Sequence, residues 1–164
     1  MNTESSFIVG IGQLCGRSVP DVLETMFFAM AVESQDAQVG GDSMRVHLDF
    51  RGSPSGTFTL HADRPALAQL GAAFLGNDNE ELSPAEVGDV ACELANILCG
   101  SVLSEAESES GFELDEPRLE PPAAHSASPL HRSPPDYQAR FQLDNGGALE
   151  IGFLLESSPR AGRE

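Results

Sequence analysis

The stretch from Asp89 to Gly100, Asp-Val-Ala-Cys-Glu-Leu-Ala-Asn-Ile-Leu-Cys-Gly, constrains the fold more than any other part of the chain. At 100° per residue, a helix brings Asp89, Glu93 and Asn96 within about 60° of one another. Val87, Val90, Ala91, Leu94, Ile97 and Leu98 fill the opposite side. A helix divided in this way belongs at the boundary of a core, with its acid and amide stripe turned toward a partner. Gly100 extends that stripe by one turn and lets another surface approach closely. Upstream, Ser83 and Glu86 form a capping box with Pro84 at the first helical position, so the helix is expected to open there and run to about Glu107.

The remaining elements follow from periodicity and turn chemistry. Ser18 as cap and Pro20 in the first turn predict a helix through Met30, while the apolar, glycine-interrupted Phe7 to Cys15 reads as either a helical extension or an irregular segment. Met44 to Phe50 and Thr57 to Ala62 alternate around Gly52-Ser53-Pro54-Ser55-Gly56, a β-hairpin with one buried face. Pro65 to Leu75 has a helical period and ends at Gly76. Phe112 to Leu114 and Arg118-Leu119 read as short extended pieces around Pro117. A second hairpin, Tyr137 to Leu143 and Leu149 to Leu155, turns at Asn145-Gly146-Gly147. The expectation is a single domain over 1–156 with a mobile loop at 121–135, followed by a polar tail at 157–164.

With 164 residues, 40% of them hydrophobic, the chain has room for one domain with a real core. Twenty-six acids face nine arginines and no lysine, for a formal charge of -17. Such a surface repels nucleic acid and anionic membranes, and suits a partner with a basic patch or a bound cation. The first residues lack a secretory signal and no later apolar run reaches membrane-spanning length, which predicts a cytoplasmic protein. Cys92 and Cys99 would lie roughly 10 Å apart along one helix, too far for a disulfide. With Cys15 they read as reduced packing residues.

The order helix, hairpin, helix, long motif helix, strand with proline, hairpin resembles the CheC/CheX/FliY family of chemotaxis phosphatases, nearest the single-site CheX type. The residues that carry the likeness are Asp89, Glu93 and Asn96 on the long helix, Pro117 after it, and Gly56-Thr57-Phe58-Thr59-Leu60 entering the next helix. Two features depart from the pattern. Twenty residues separate Asn96 from Pro117, a slightly short interval for which Pro121 is a substitute, and the first helix has Asp21, Thr25 and Phe28 where a two-site member would repeat the motif.

The resemblance implies an α/β (α+β) two-layer domain, a mostly antiparallel sheet packed with long helices. It also implies a target, the aspartyl phosphate of a CheY-like receiver domain. No cofactor of the chain's own is implied, because the receiver supplies a divalent metal (Mg) and a lysine. Asn96 would position a water for in-line attack, being both donor and acceptor without a repelling charge. Glu93 would pair with the receiver lysine, and Asp89 would serve docking or hold the helix face. The rival is a non-catalytic module that binds a receiver or switch protein through the same face. Some members of the family dimerise, so a homodimer stands as an open alternative. His47 and His61, expected as solvent-facing imidazoles, and His125 and His131 in the loop make no recognisable metal set.

Overall fold

A computed structural model describes residues 3–76, 81–106, 111–121 and 134–156. The loop expected at 121–135, apart from its first and last residues, and the tail at 157–164 lie outside them. The first helix, α1 (Thr3–Phe27), is longer than the sequence signals suggest. Ser18 is a buried interior residue of α1 and not a cap, and Pro20 lies inside the helix. An interior proline costs about 3 kcal/mol. Here the buried stripe Ile11, Cys15, Val19, Val22, Leu23 and Phe27 continues in helical phase on both sides of it, and burial of that stripe offsets the local cost. The helix stops at Phe28, whose φ is 55°, and the Ala29 amide donates back to the Leu23 carbonyl at 3.0 Å.

A three-residue strand, β1 (Ala31–Glu33), follows; it is too short for alternation to announce it. The first hairpin is β2 (Ser43–Arg51) and β3 (Gly56–Asp63), and the second is β6 (Tyr137–Leu143) and β7 (Ala148–Leu155), both in the expected places. Two fragments, β4 (Glu113–Leu114) and β5 (Arg118–Leu119), lie between them in the chain. Among the described residues the strands form one antiparallel seven-stranded sheet, ordered β1-β6-β7-β3-β2-β4, with β5 also on β2. The fold is the α/β two-layer arrangement expected from the resemblance.

Helices α2 (Arg64–Leu75) and α3 (Pro84–Glu105) complete the second layer with α1. The Ser83 hydroxyl accepts from the Glu86 amide at 3.2 Å, and Glu86 accepts from the Ser83 amide, so the capping box forms as expected. Gly71 lets α2 and α3 cross closely, since a Cβ there would lie 2.6 Å from Val90 and 2.7 Å from Leu82. Against the sequence expectation, α3 is long and apolar enough to cross a membrane. Its apolar side is instead buried in the protein, through Val87, Val90, Leu94, Leu98 and Val102 among others.

The sheet's inner face carries Leu48, Phe50, Phe58, Leu60, Phe141, Ile151 and Phe153, all buried. Its outer face is polar: Arg140 pairs with Glu150 at 2.8 Å, and the Thr57 hydroxyl donates to Asp49 at 2.7 Å. His47 and His61 are not direct cross-strand partners, because His47 lies opposite Thr59 and His61 opposite Arg45. Nor is His47 solvent-facing as expected. It is buried, with Nε2 3.6 Å from a carboxylate oxygen of the equally buried Glu120.

Two stability effects follow. Ser83→Ala removes one partner of the capping box and should destabilise the fold by about 1 kcal/mol in denaturant titration. Burial lowers the His47 pKa from its ordinary 6.5, and Glu120 opposes this only in part. Below that ordinary value the unfolded chain therefore binds a proton that the folded protein resists. The contribution of His47 is complete above pH 6.5 and is lost as the pH falls toward its lowered folded value. The thermal midpoint should drop between pH 7 and pH 5, and His47→Gln should make that drop shallower.

Candidate functional site

Capping and burial together fix the azimuth of α3. Leu94, Ala95 and Leu98 are fully enclosed, which leaves Asp89 and Glu93 exposed and Asn96 half-buried on the other side. These three residues, with Cys92, form one wall of an open groove of about 500 Å³. Leu114, Asp115, Glu116 and Pro117 form the other wall. The structure thus brings Asp89, Glu93, Asn96 and Pro117 to one place. Pro121 is exposed and does not line the groove.

The second wall owes its shape to a register slip. Phe50 lies opposite Leu114 and His47 opposite Arg118, so three residues (115–117) face only two (48–49) on β2. β4 and β5 are one edge strand interrupted by a β-bulge, and Pro117, lacking an N–H, sits where the ladder fails. The bulge is tied down twice at its first residue. The Asp115 amide donates to the Asp49 carbonyl at 2.9 Å, and the Arg51 guanidinium pairs with Asp115 at 2.8 Å. Leu119 packs over Gly88, where a Cβ would lie 3.0 Å from it, and a Cβ at Gly100 would meet Leu114 at a comfortable 3.7 Å.

The groove is acidic on both walls, with Asp89 and Glu93 facing Asp115 and Glu116. None of the ion pairs among the described residues uses Asp89 or Glu93. Cys92 is half-buried in the same wall, and burial with the nearby Asp89 charge raises its pKa, so it stays a neutral thiol rather than a nucleophile. Burial likewise pushes Cys15 up to about 12. Among the described residues no cluster of three or more His, Cys, Asp or Glu side chains is arranged to hold a metal ion. Asp21 and Thr25 on α1, and Phe28 just past its end, are exposed, and the Thr25 hydroxyl donates to the Asp21 carbonyl at 2.8 Å.

Sequence reasoning missed Asp115, Glu116 and the bulge. Their signal was present in Pro117, which cannot donate to a ladder, standing after Asp115-Glu116 between two short extended pieces.

An antiparallel sheet backed by helices, with an acid and amide helix facing a bulged edge, defines a protein of the CheC class. A family profile described as chemotaxis phosphatase CheX matches residues 45–144. The chain belongs to the CheX family. It superimposes on a chemotaxis protein CheX from Desulfovibrio desulfuricans with a TM-score of 0.65 at 14% identity, covering 89% of this chain and 99% of that one. CheX from Vibrio vulnificus gives 0.64 at 20% identity, covering 93% and 99%. CheX in a CheX–CheY–BeF3–Mg2+ complex from Borrelia burgdorferi gives 0.61 at 13%, covering 92% and 98%. At such identities the likeness is one of fold. No curated protein matches the chain by sequence.

Gly100 has room for a methyl group, and alanine is the better helix former. Gly100→Ala should therefore stabilise the protein by about 0.5–1 kcal/mol in denaturant titration. A loss of partner affinity in that stabilised variant would report close approach of the partner over α3.

Proposed function

We propose that this protein is an aspartyl-phosphate phosphatase that dephosphorylates a CheY-like receiver domain by positioning a water for in-line attack. The observation that carries the reading is the placement of Glu93 and Asn96 side by side on one wall of an open groove, within a chain of the CheX family. The receiver would bring the divalent metal, which neutralises charge on the phosphoryl oxygens. What the chain must add is orientation.

Asn96 suits that task. Its carbonyl oxygen accepts a hydrogen bond from the water while its amide group donates one, and it places no charge near the phosphoryl group. The water oxygen bonds to phosphorus as the bond from phosphorus to the acyl oxygen breaks. The receiver aspartate leaves as a carboxylate, and both water protons depart with inorganic phosphate. Glu93 pairs with the receiver lysine and fixes the approach of α3, and Asp89 adds to docking one turn earlier. Gly100 keeps the next turn low, and Pro117 shapes the facing wall. Consistent with this division of labour, the groove's carboxylates favour a cationic contact and disfavour retention of free phosphate.

Two substitutions separate the roles. Asn96→Ala should slow receiver dephosphorylation by about a hundredfold or more with little change in stability. Glu93→Gln should instead weaken the complex by about 1–3 kcal/mol, measured by titration against a receiver locked with BeF3 and Mg2+. Rates within a few-fold of the parent would remove Asn96 from the mechanism. A parent that binds the locked receiver without accelerating phosphate loss would establish the non-catalytic binding module instead.

A further inference from the structure

We propose that Asp49 is a positioning residue that locks the Asp115–Pro117 bulge as a fixed second wall of the groove and thereby sets the affinity for the receiver. This rests on the receiver phosphatase reading above. Asp49 grips the bulge at both ends. Its backbone carbonyl accepts the Asp115 amide at 2.9 Å where the bulge begins, and its carboxylate accepts the Arg118 guanidinium at 3.1 Å where the bulge ends. The Thr57 hydroxyl, from the neighbouring strand, donates to the other carboxylate oxygen at 2.7 Å and orients it.

The bulge needs such a brace. β4 and β5 supply only two residues each to the ladder, Pro117 donates no hydrogen bond, and edge segments of this kind open readily. Leu114 and Leu119 anchor the flanks against α3, at Gly100 and Gly88, whereas Asp115, Glu116 and Pro117 face the helix across the open groove. Asp49 lies in register with Thr57 on the outer side of the sheet, while Phe50 beside it points into the core, so it acts through the wall and not on the reacting atoms. A wall free to swing would widen the groove and leave the partner to order it on binding, which weakens affinity without touching the water held by Asn96.

The test compares the full chain with Asp49→Asn, Arg118→Ala and Arg118→Lys in receiver dephosphorylation, with amide exchange of Asp115 followed in the free protein. Asp49→Asn and Arg118→Ala should raise KM about threefold to fivefold, the range an exposed ion pair can supply, at nearly constant kcat. Arg118→Lys should restore most of the loss, and the Asp115 amide should exchange faster in the two damaged variants. An unchanged KM, in an assay where Asn96→Ala still loses turnover, overturns the proposal and leaves the phosphatase reading intact. So does a fall in kcat and thermal midpoint that lysine fails to rescue, since that is general structural damage. A parent that binds but hydrolyses no receiver overturns the phosphatase reading, and equal affinities of parent and variants for the BeF3-locked receiver then overturn this one. A parent that binds none of a panel of receivers overturns both.

Discussion

Everything at the groove depends on how α3 is seated. Its apolar side is enclosed by the inner face of the sheet and by α1 and α2, and residues such as Leu94 and Leu98 have no remaining exposure. Rotation of the helix by even one residue would drive Glu93 or Asn96 toward that core. The desolvation cost of a buried carboxylate forbids it. The core thus does more than hold the protein together, because it selects the one azimuth at which the acid and amide stripe faces outward.

The second wall is built by a different kind of constraint. A regular edge strand opposite β2 would run flat along the sheet and offer nothing to α3. One extra residue between Leu114 and Arg118 makes the strand swell, and the groove exists because of that swelling. The same bulge and proline interrupt an otherwise extendable edge, which also discourages pairing with other chains. Both walls therefore derive from local chemistry that is strong and short-ranged: a capping box and an apolar stripe on one side, a proline and a register slip on the other.

Much of this was legible in the sequence, for reasons that differ by element. The capping box at Ser83, the glycine stop at Gly76 and the alternation of both hairpins are local signals, and the structure reproduces them. Ser18-Val19-Pro20 carries the local signature of a cap and leaves Phe7 to Cys15 open between helix and irregular segment; only the tertiary burial of Ile11 and Cys15 decides for a helix that continues through Ser18. β1 escaped because three residues carry no period. The polar strand phase of His47 predicts a surface residue. That phase is correct, yet Glu120 from the distant edge segment closes over it, a contact that no local pattern encodes. In the groove, the motif residues were legible from helical spacing, whereas Asp115 and Glu116 were not, because the register between β2 and the edge strand is a long-range property.

The charge distribution explains why the residue at the proposed point of chemistry is an amide. The chain carries a formal charge of -17, and the groove itself gathers Asp89, Glu93, Asp115 and Glu116. A third carboxylate on the α3 stripe at Asn96 would add repulsion where a phosphoryl group has to approach. A lysine or arginine there would instead compete for the nearby carboxylates and pair with Glu93 one turn away. A neutral group with both donor and acceptor avoids each conflict. The acids around it are then free to recognise a cationic partner, and they hold the approaching surface at a distance set by the two walls. Under the proposed reading, recognition is electrostatic and the orientation of water is not, so the two can be tuned separately on a single helix face.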